Sequence, residues 1–145
     1  MEFPFRSAVV STFAHATEAE ERVLDALRIL LPEEIEVRRS RLKGHHGNPI
    51  VNLEARIKRK ETRELWQRIL AKLRGGESEK IARAAPGRID ETCHLHLRFN
   101  KQLAYAGELA LTGGGDVIHL RLKVAAYPAK REVAVDLVEK FLLTK

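Results

Sequence analysis

The sequence predicts an α+β domain: an antiparallel or mixed β-sheet with helices packed mainly on one face, in the order β-α-β-β-α-(α)-β-β-β-α. Three observations carry this. Apolar residues alternate with polar ones in several short segments, the period of a half-buried strand. Other segments repeat apolar residues at helical spacing. Strand segments also follow one another without an intervening helix, which an all-parallel sheet does not allow. The 145 residues suffice for one hydrophobic core, because a chain of this size buries roughly two-thirds of its unfolded surface. Residues 1–145 are expected to form a single domain.

Phe5 to Phe13 reads as a strand with small or apolar residues on both sides, as in the middle of a sheet. Thr17-Glu18-Ala19-Glu20 has the pattern of a capping box. Val23, Leu24, Leu27, Leu30 and Leu31 follow at helical spacing, and Pro32 stops the helix. Residues 34–43 read as a strand in which Ile35, Val37 and Arg39 alternate with Glu36 and Arg38. Gly44 to Pro49 is a loop, and Val51, Leu53, Ala55 and Ile57 alternate with Asn52, Glu54, Arg56 and Lys58 in the returning strand of a hairpin. Leu65, Trp66, Ile69, Leu70 and Leu73 mark a second helix, ended by Gly75-Gly76. Residues 77–85 form a short helix before the Pro86-Gly87 turn. His94, His96 and Arg98 alternate with Leu95, Leu97 and Phe99 in a strand, and Lys101 to Ala106 is a turn or helical connection. Leu109 and Leu111 indicate a short strand, and Ile118 to Val124 alternates as a longer one. Pro128 precedes a last helix with Val133, Leu137, Val138 and Phe141.

The charge is unevenly placed. Residues 1–36 carry a net −5, residues 37–74 a net +9 and residues 75–145 a net +2. A +9 block inside a folded domain favours polyanions such as nucleic acid or an anionic membrane surface, the alternative being a solvated, ion-paired surface, and no apolar run approaches the ~18 residues a membrane span needs. The N-terminus, Met1-Glu2-Phe3-Pro4, lacks the basic flank and apolar stretch of a secretory signal, so a cytoplasmic setting is expected. Cys93 is the one cysteine, which excludes an internal disulfide and a cysteine-based zinc site.

No catalytic constellation emerges. His94 and His96 point the same way on one strand and His119 lies on a later one. Three imidazoles can hold zinc, but no carboxylate or cysteine at motif spacing reinforces them, and a polar outer face accounts for them. Cys93 and His94 are strand neighbours and point to opposite faces. The acidic residues cluster in the first helix rather than forming a magnesium site. Gly113-Gly114-Gly115 lacks the Lys-Ser/Thr of a P-loop and reads as a turn. Gly44 and Gly47 have the spacing of a KH loop, but join two strands where a KH loop joins two helices. No metal, cofactor or enzymatic activity is therefore expected.

Four blocks, Ser11 to Glu18, Gly44 to Ile50, Leu97 to Leu109 and Ala126 to Glu132, stand in an order that resembles an archaeal family of RNA-binding proteins described as exosome-associated. The resemblance implies a fold similar to the ribosomal protein that contacts 5S rRNA, an archaeal cytoplasmic setting, and exosome- or ribosome-related protein partners. The positions that match the family blocks are His15, His45, Gly47, Asn48, Arg98, Lys101, Gln102, Tyr105, Lys130 and Arg131.

The residues themselves point the same way. Arg56, Lys58, Arg98, Arg121 and Lys123 occupy non-core strand positions and form a basic platform if the helices cover only the other face. Lys43, His45, His46 and Asn48 sit in or beside a glycine-bounded loop that can approach phosphates closely. Lys101 is a phosphate candidate, Gln102 a base-edge candidate and Tyr105 a stacking candidate. Lys130 and Arg131 place two cations at a helix start, an electrostatic cost that a bound anion offsets. The expectation is a non-enzymatic RNA-binding protein. The alternative is a protein-interaction subunit or homodimer with no RNA affinity of its own.

Overall fold

The computed structural model describes residues 2–44 and 47–143. Its strands are β1 (Phe5–His15), β2 (Val37–Lys43), β3 (Pro49–Ile57), β4 (His94–Asn100) and β5 (Val117–Val124). Its helices are α1 (Glu20–Arg28), α2 (Arg59–Lys72), α3 (Glu77–Ala84), α4 (Lys101–Tyr105) and α5 (Arg131–Leu143), with a 3₁₀ turn at Ala85–Arg88 between α3 and β4. The strands form one antiparallel sheet in the order β2-β3-β1-β5-β4. β1 is central, in accord with the apolar or small residues on both of its sides.

Strict alternation decides which face the helices cover. Ala8, Val10 and Ala14 of β1, Val51, Leu53, Ala55 and Ile57 of β3, Leu95, Leu97 and Phe99 of β4, and Ile118, Leu120 and Leu122 of β5 are all buried. These positions share one face by register, and α1 and α2 pack on it. Val23, Leu27, Leu65 and Ile69 supply the helical half of the core. At one end Phe5, Trp66 and Phe141 join β1, α2 and α5, with the Phe5 and Trp66 rings 5.3 Å apart and tilted. Among the described residues no helix covers the opposite face of the sheet, which carries Arg56, Arg98 and Arg121 exposed.

Four local details differ from the sequence reading. The capping box at Thr17 does not form: α1 begins at Glu20 after Ala19, and the Glu18 carboxylate accepts the His15 N–H at 2.9 Å. The strand read over residues 34–43 begins only at Val37, and within it Arg39 faces the helices with Val37, opposite the buried Leu53, as their shared alternation implies. Lys58 does not extend β3: the strand ends at Ile57 and Lys58 is the N-cap of α2. The Leu109–Leu111 segment makes isolated bridges, Leu109 to Leu73 and Leu111 to Phe99, rather than a full strand. No described helix is long and apolar enough to cross a membrane.

Candidate nucleic-acid interface

Alternation places every second strand residue on the open face. Register then orders these residues into rows. Arg38, Glu54, Ser11, His119 and Arg98 form one row across all five strands. Arg56, Val9, Arg121 and His96 form the next, and Ser7, Lys123 and His94 the one after. With strands about 4.8 Å apart, four gaps separate Arg38 from Arg98, so the basic row spans about 19 Å. Phe13 lies opposite Asn52 on the same face and is 47% exposed. Arg56 pairs with Glu54 at 3.2 Å, and Lys123 donates to the Thr92 carbonyl at 3.0 Å. Among the described residues no carboxylate lies within ion-pair distance of Arg38, Arg98 or Arg121.

A relay of polar groups crosses the same face. Asp90 Oδ2 and His96 Nε2 are 2.6 Å apart, and His96 Nδ1 and His119 Nε2 are 3.0 Å apart with the rings stacked. The turn before β4 makes this contact, with Cys93 in the left-handed region at φ 64°. That reversal lets Asp90 Oδ1 accept the N–H groups of Thr92 and His94 at 2.9 and 3.0 Å while Oδ2 holds His96. Burial works against the Asp90 charge, but hydrogen bonds from His96, His94 and Thr92 hold its pKa far below the ordinary carboxylate range. Burial lowers both His119 and His94: the charges of Arg98 and Arg121 add to the effect on His119, and that of Lys123 to the effect on His94. Both ring nitrogens of His96 are engaged, so the three histidines do not converge on a common metal position.

The other candidates fall in three places. Lys58 sits at the end of the sheet in a cleft of about 710 Å³ lined by four more cations, Arg6, Arg59, Lys60 and Arg63. Lys43 and Asn48 are exposed at the hairpin end; Gly44 donates to the Asn48 carbonyl at 2.6 Å. His45 and His46 lie outside the described residues. Gly44 suits this tight closure: a Cβ there would lie 3.0 Å from the Asn48 carbonyl oxygen and 2.4 Å from the Ile50 side chain.

The third place is the far end of β1, on the helix side. Lys101 has no exposed surface, and its ammonium donates to the Phe13 carbonyl, to Glu18 at 2.9 Å and to Asp116 at 3.3 Å. The same Glu18 accepts from Tyr105 Oη at 3.0 Å. Burial, with Glu18 next, pushes the Tyr105 hydroxyl up to about 12. Burial opposes the Glu18 charge, but bonds from His15, Lys101 and Tyr105 outweigh it and leave its pKa lowered. His15, Glu18 and Asp116 gather closely enough to suit a metal, but the Lys101 ammonium already bonds both carboxylates. Gln102 is exposed beside Tyr105, away from the open sheet face. Arg131 is committed to the carbonyls of Ile89 and Pro86 at 2.7 and 2.6 Å, while Lys130 is exposed. The geometry therefore brings Arg56, Arg98, Arg121 and Lys123 together and sets Lys101, Tyr105 and Arg131 into internal contacts.

Sequence reasoning did not single out Asp90, Arg38 or Phe13 as parts of this face, nor Arg6, Arg59, Lys60 and Arg63 as walls of the cleft. Arg38, Phe13 and Val9 were accessible from strand parity. Asp90 was not, because it reaches His96 through a chain reversal rather than a periodic pattern.

Comparison with known proteins gives the family. Residues 7–124 match the sequence family described as RNA binding. The chain is similar to the RNA-binding protein PAB1135 of Pyrococcus abyssi, at 39% identity over 139 residues, covering 92% of this chain and 90% of that one. Among solved structures it resembles protein AF2318 of Archaeoglobus fulgidus at a TM-score of 0.84 and 39% identity, covering 94% of this chain and 98% of that one. It also resembles Mth689 of Methanothermobacter thermautotrophicus, a DUF54 protein, at a TM-score of 0.79 and 38% identity, covering 97% and 99%. These relatives are archaeal. With most of its length matched, including all five strands but for the first residues of β1, the chain belongs to the RNA-binding family.

Proposed function

We propose that the chain binds RNA across the open face of its sheet, with Arg38, Arg56, Arg98, Arg121 and Lys123 neutralising backbone phosphates and Phe13 stacking on an unpaired base. The observation that carries this is the one-sided placement of those cations: all but Arg56 lack any carboxylate partner among the described residues. Phosphate neutralisation is the dominant sequence-independent term in nucleic-acid affinity, and an exposed aromatic on a sheet adds a platform for single strands. The cleft around Lys58 extends the basic surface past the end of the sheet, whereas Lys43 at the hairpin end shares the helix-side parity of Arg39 and Arg41. An accessory place in archaeal RNA processing, the exosome included, is supported by the resemblance of the four sequence blocks.

The test is a fluorescence-polarisation titration of a labelled mixed-sequence RNA, single-stranded and hairpin, at 50 and 200 mM salt. Five phosphate contacts on a single strand give a slope of about −3.5, hence roughly 100-fold weaker binding at the higher salt. Replacing Arg98, Arg121 and Lys123 by Gln reduces the slope by about 2. An unchanged slope in a folded triple variant places the RNA elsewhere. No binding at low salt by the parent chain assigns the basic face to a protein partner instead.

A further inference from the structure

The open face is rich in groups that can only donate hydrogen bonds: arginine and lysine have no acceptor. Two carboxylates break that pattern, Glu54 paired with Arg56 and Asp90 beside His96. Asp90 is ionised and can only accept, so His96 donates to it from Nε2 across 2.6 Å. A neutral His96 then has its lone pair at Nδ1, and the group 3.0 Å away, His119 Nε2, must supply the proton. A neutral His119 that carries its proton on Nε2 has a free lone pair on Nδ1. That atom has no partner among the described residues and is not one of the sealed, unpartnered atoms of the interior. The carboxylate thus fixes the tautomer of a histidine that it does not touch, as an outer group fixes a ring nitrogen through its neighbour.

The position of this acceptor decides its ligand. His96 and His119 occupy one diagonal of a square on β4 and β5, and Arg98 and Arg121 occupy the other. Diagonal neighbours on such a pair of strands lie about 7–8 Å apart. A nucleic-acid strand held by both guanidinium groups passes over the imidazole with its sugars, since a sugar lies between successive phosphates. The backbone group that can donate a hydrogen bond there is the ribose 2′-hydroxyl, which DNA lacks. On the reading that this face binds RNA, we propose that His119, set by the Asp90–His96 relay, accepts a hydrogen bond from a 2′-hydroxyl and makes the face prefer RNA over DNA.

The experiment compares a single-stranded oligoribonucleotide with the oligodeoxyribonucleotide of the same base sequence, uracil included, at pH 7.5. Three proteins are used: the parent chain, His119→Leu and His119→Asn. Loss of one such hydrogen bond corresponds to roughly a three- to tenfold loss of affinity. The parent chain is expected to prefer the ribo-oligonucleotide. His119→Leu should lose about three- to tenfold in RNA affinity with DNA affinity unchanged, and His119→Asn, whose amide oxygen restores an acceptor close to the backbone, should recover most of it. Equal binding of RNA and DNA by the parent chain overturns the inference and leaves RNA binding standing. A leucine variant that weakens both oligonucleotides alike overturns it too, because a base or structural contact has then been lost. Failure of the parent chain to bind either oligonucleotide overturns the RNA-binding reading itself.

Discussion

Replacing Lys101 by Met separates a structural cation from a ligand-binding one. The ammonium has no exposed surface and holds three partners from different parts of the chain: the Phe13 carbonyl, Glu18 and Asp116. Met keeps most of the side-chain volume and removes the charge. Breaking a fully buried pair costs about 3–5 kcal/mol, because the remaining charge is stranded. Here the stranded carboxylates keep some hydration, with side-chain exposures of 18% for Glu18 and 36% for Asp116. The expected loss is therefore about 2–4 kcal/mol. At about 2.1 cal/mol/K per residue, the unfolding entropy of a chain of this length is about 0.3 kcal/mol/K, so the melting temperature should fall by roughly 7–13 °C. Calorimetry or circular-dichroism melting measures the first quantity, and RNA titration at a temperature where the variant is folded measures the second. RNA affinity should hold. A variant that melts with the parent protein but no longer binds RNA would refute the argument, since Lys101 would then be acting on the ligand.

Three further outcomes are expected. Stability should be steady above about pH 6.5 and fall as the pH drops through that value. His94 and His119 have folded pKa values lowered from 6.5, so the unfolded chain takes up their protons first. A second, steeper loss should follow below the ordinary carboxylate values of 4.5 and 3.8, where Glu18, Glu77 and Asp90, all lowered in the folded state, are forced to protonate; urea midpoints between pH 8 and pH 3 check both steps, and a midpoint that rises on acidification contradicts them. Phe13→Ala should weaken single-stranded RNA binding about tenfold, within the range for one base stacked on an aromatic ring, and leave the melting temperature within a few degrees. The neighbours Arg38 and Arg39 should behave in opposite ways: Arg38→Gln reduces the salt slope of RNA binding, while Arg39→Gln lowers stability slightly by releasing Glu20 and Glu21 and leaves the slope unchanged.

The period-two pattern was enough to group the strand cations on one side of the sheet, while which side is open follows only from the placement of the helices. Arg56, Arg98, Arg121 and Lys123 each alternate with a buried Ala, Leu or Val, and an antiparallel register keeps that alternation aligned across strands. Parity misled where a strand ends. Lys58 continues the alternation on paper, but Glu61 reaches back to its N–H at 3.3 Å and starts a helix there. Arg39 keeps the parity of Ile35 and Val37, and its acidic partners on α1 become visible only once α1 is placed. Lys101 and Tyr105 lie in a five-residue helix, too short for a period to show which side is buried. The Asp90 relay depends on a turn with a positive φ at Cys93, a residue type that does not announce such a conformation.

The uneven charge of the sequence becomes a sided charge in the fold, and the sheet does the sorting. Residues 37–43 carry four cations. Alternation sends Arg39 and Arg41 to the helix side, where α1 meets them with Glu20 and Glu21, so part of the acidic N-terminal block neutralises part of the basic block. Arg38 goes the other way, and among the described residues no carboxylate lies within ion-pair distance of it. The acids of the C-terminal half are drawn off the face in the same manner: Asp116 to Lys101, Glu77 to Lys80 and Glu108 to Arg74. Glu54 and Asp90 are the carboxylates that contact face residues, and Asp90 is turned to the relay. A net charge of +6 spread evenly would give only weak attraction for a polyanion. Cations left without a carboxylate on one face, among the described residues Arg38, Arg98, Arg121 and Lys123, give a local directed field there, and the direction follows from strand parity rather than from the total.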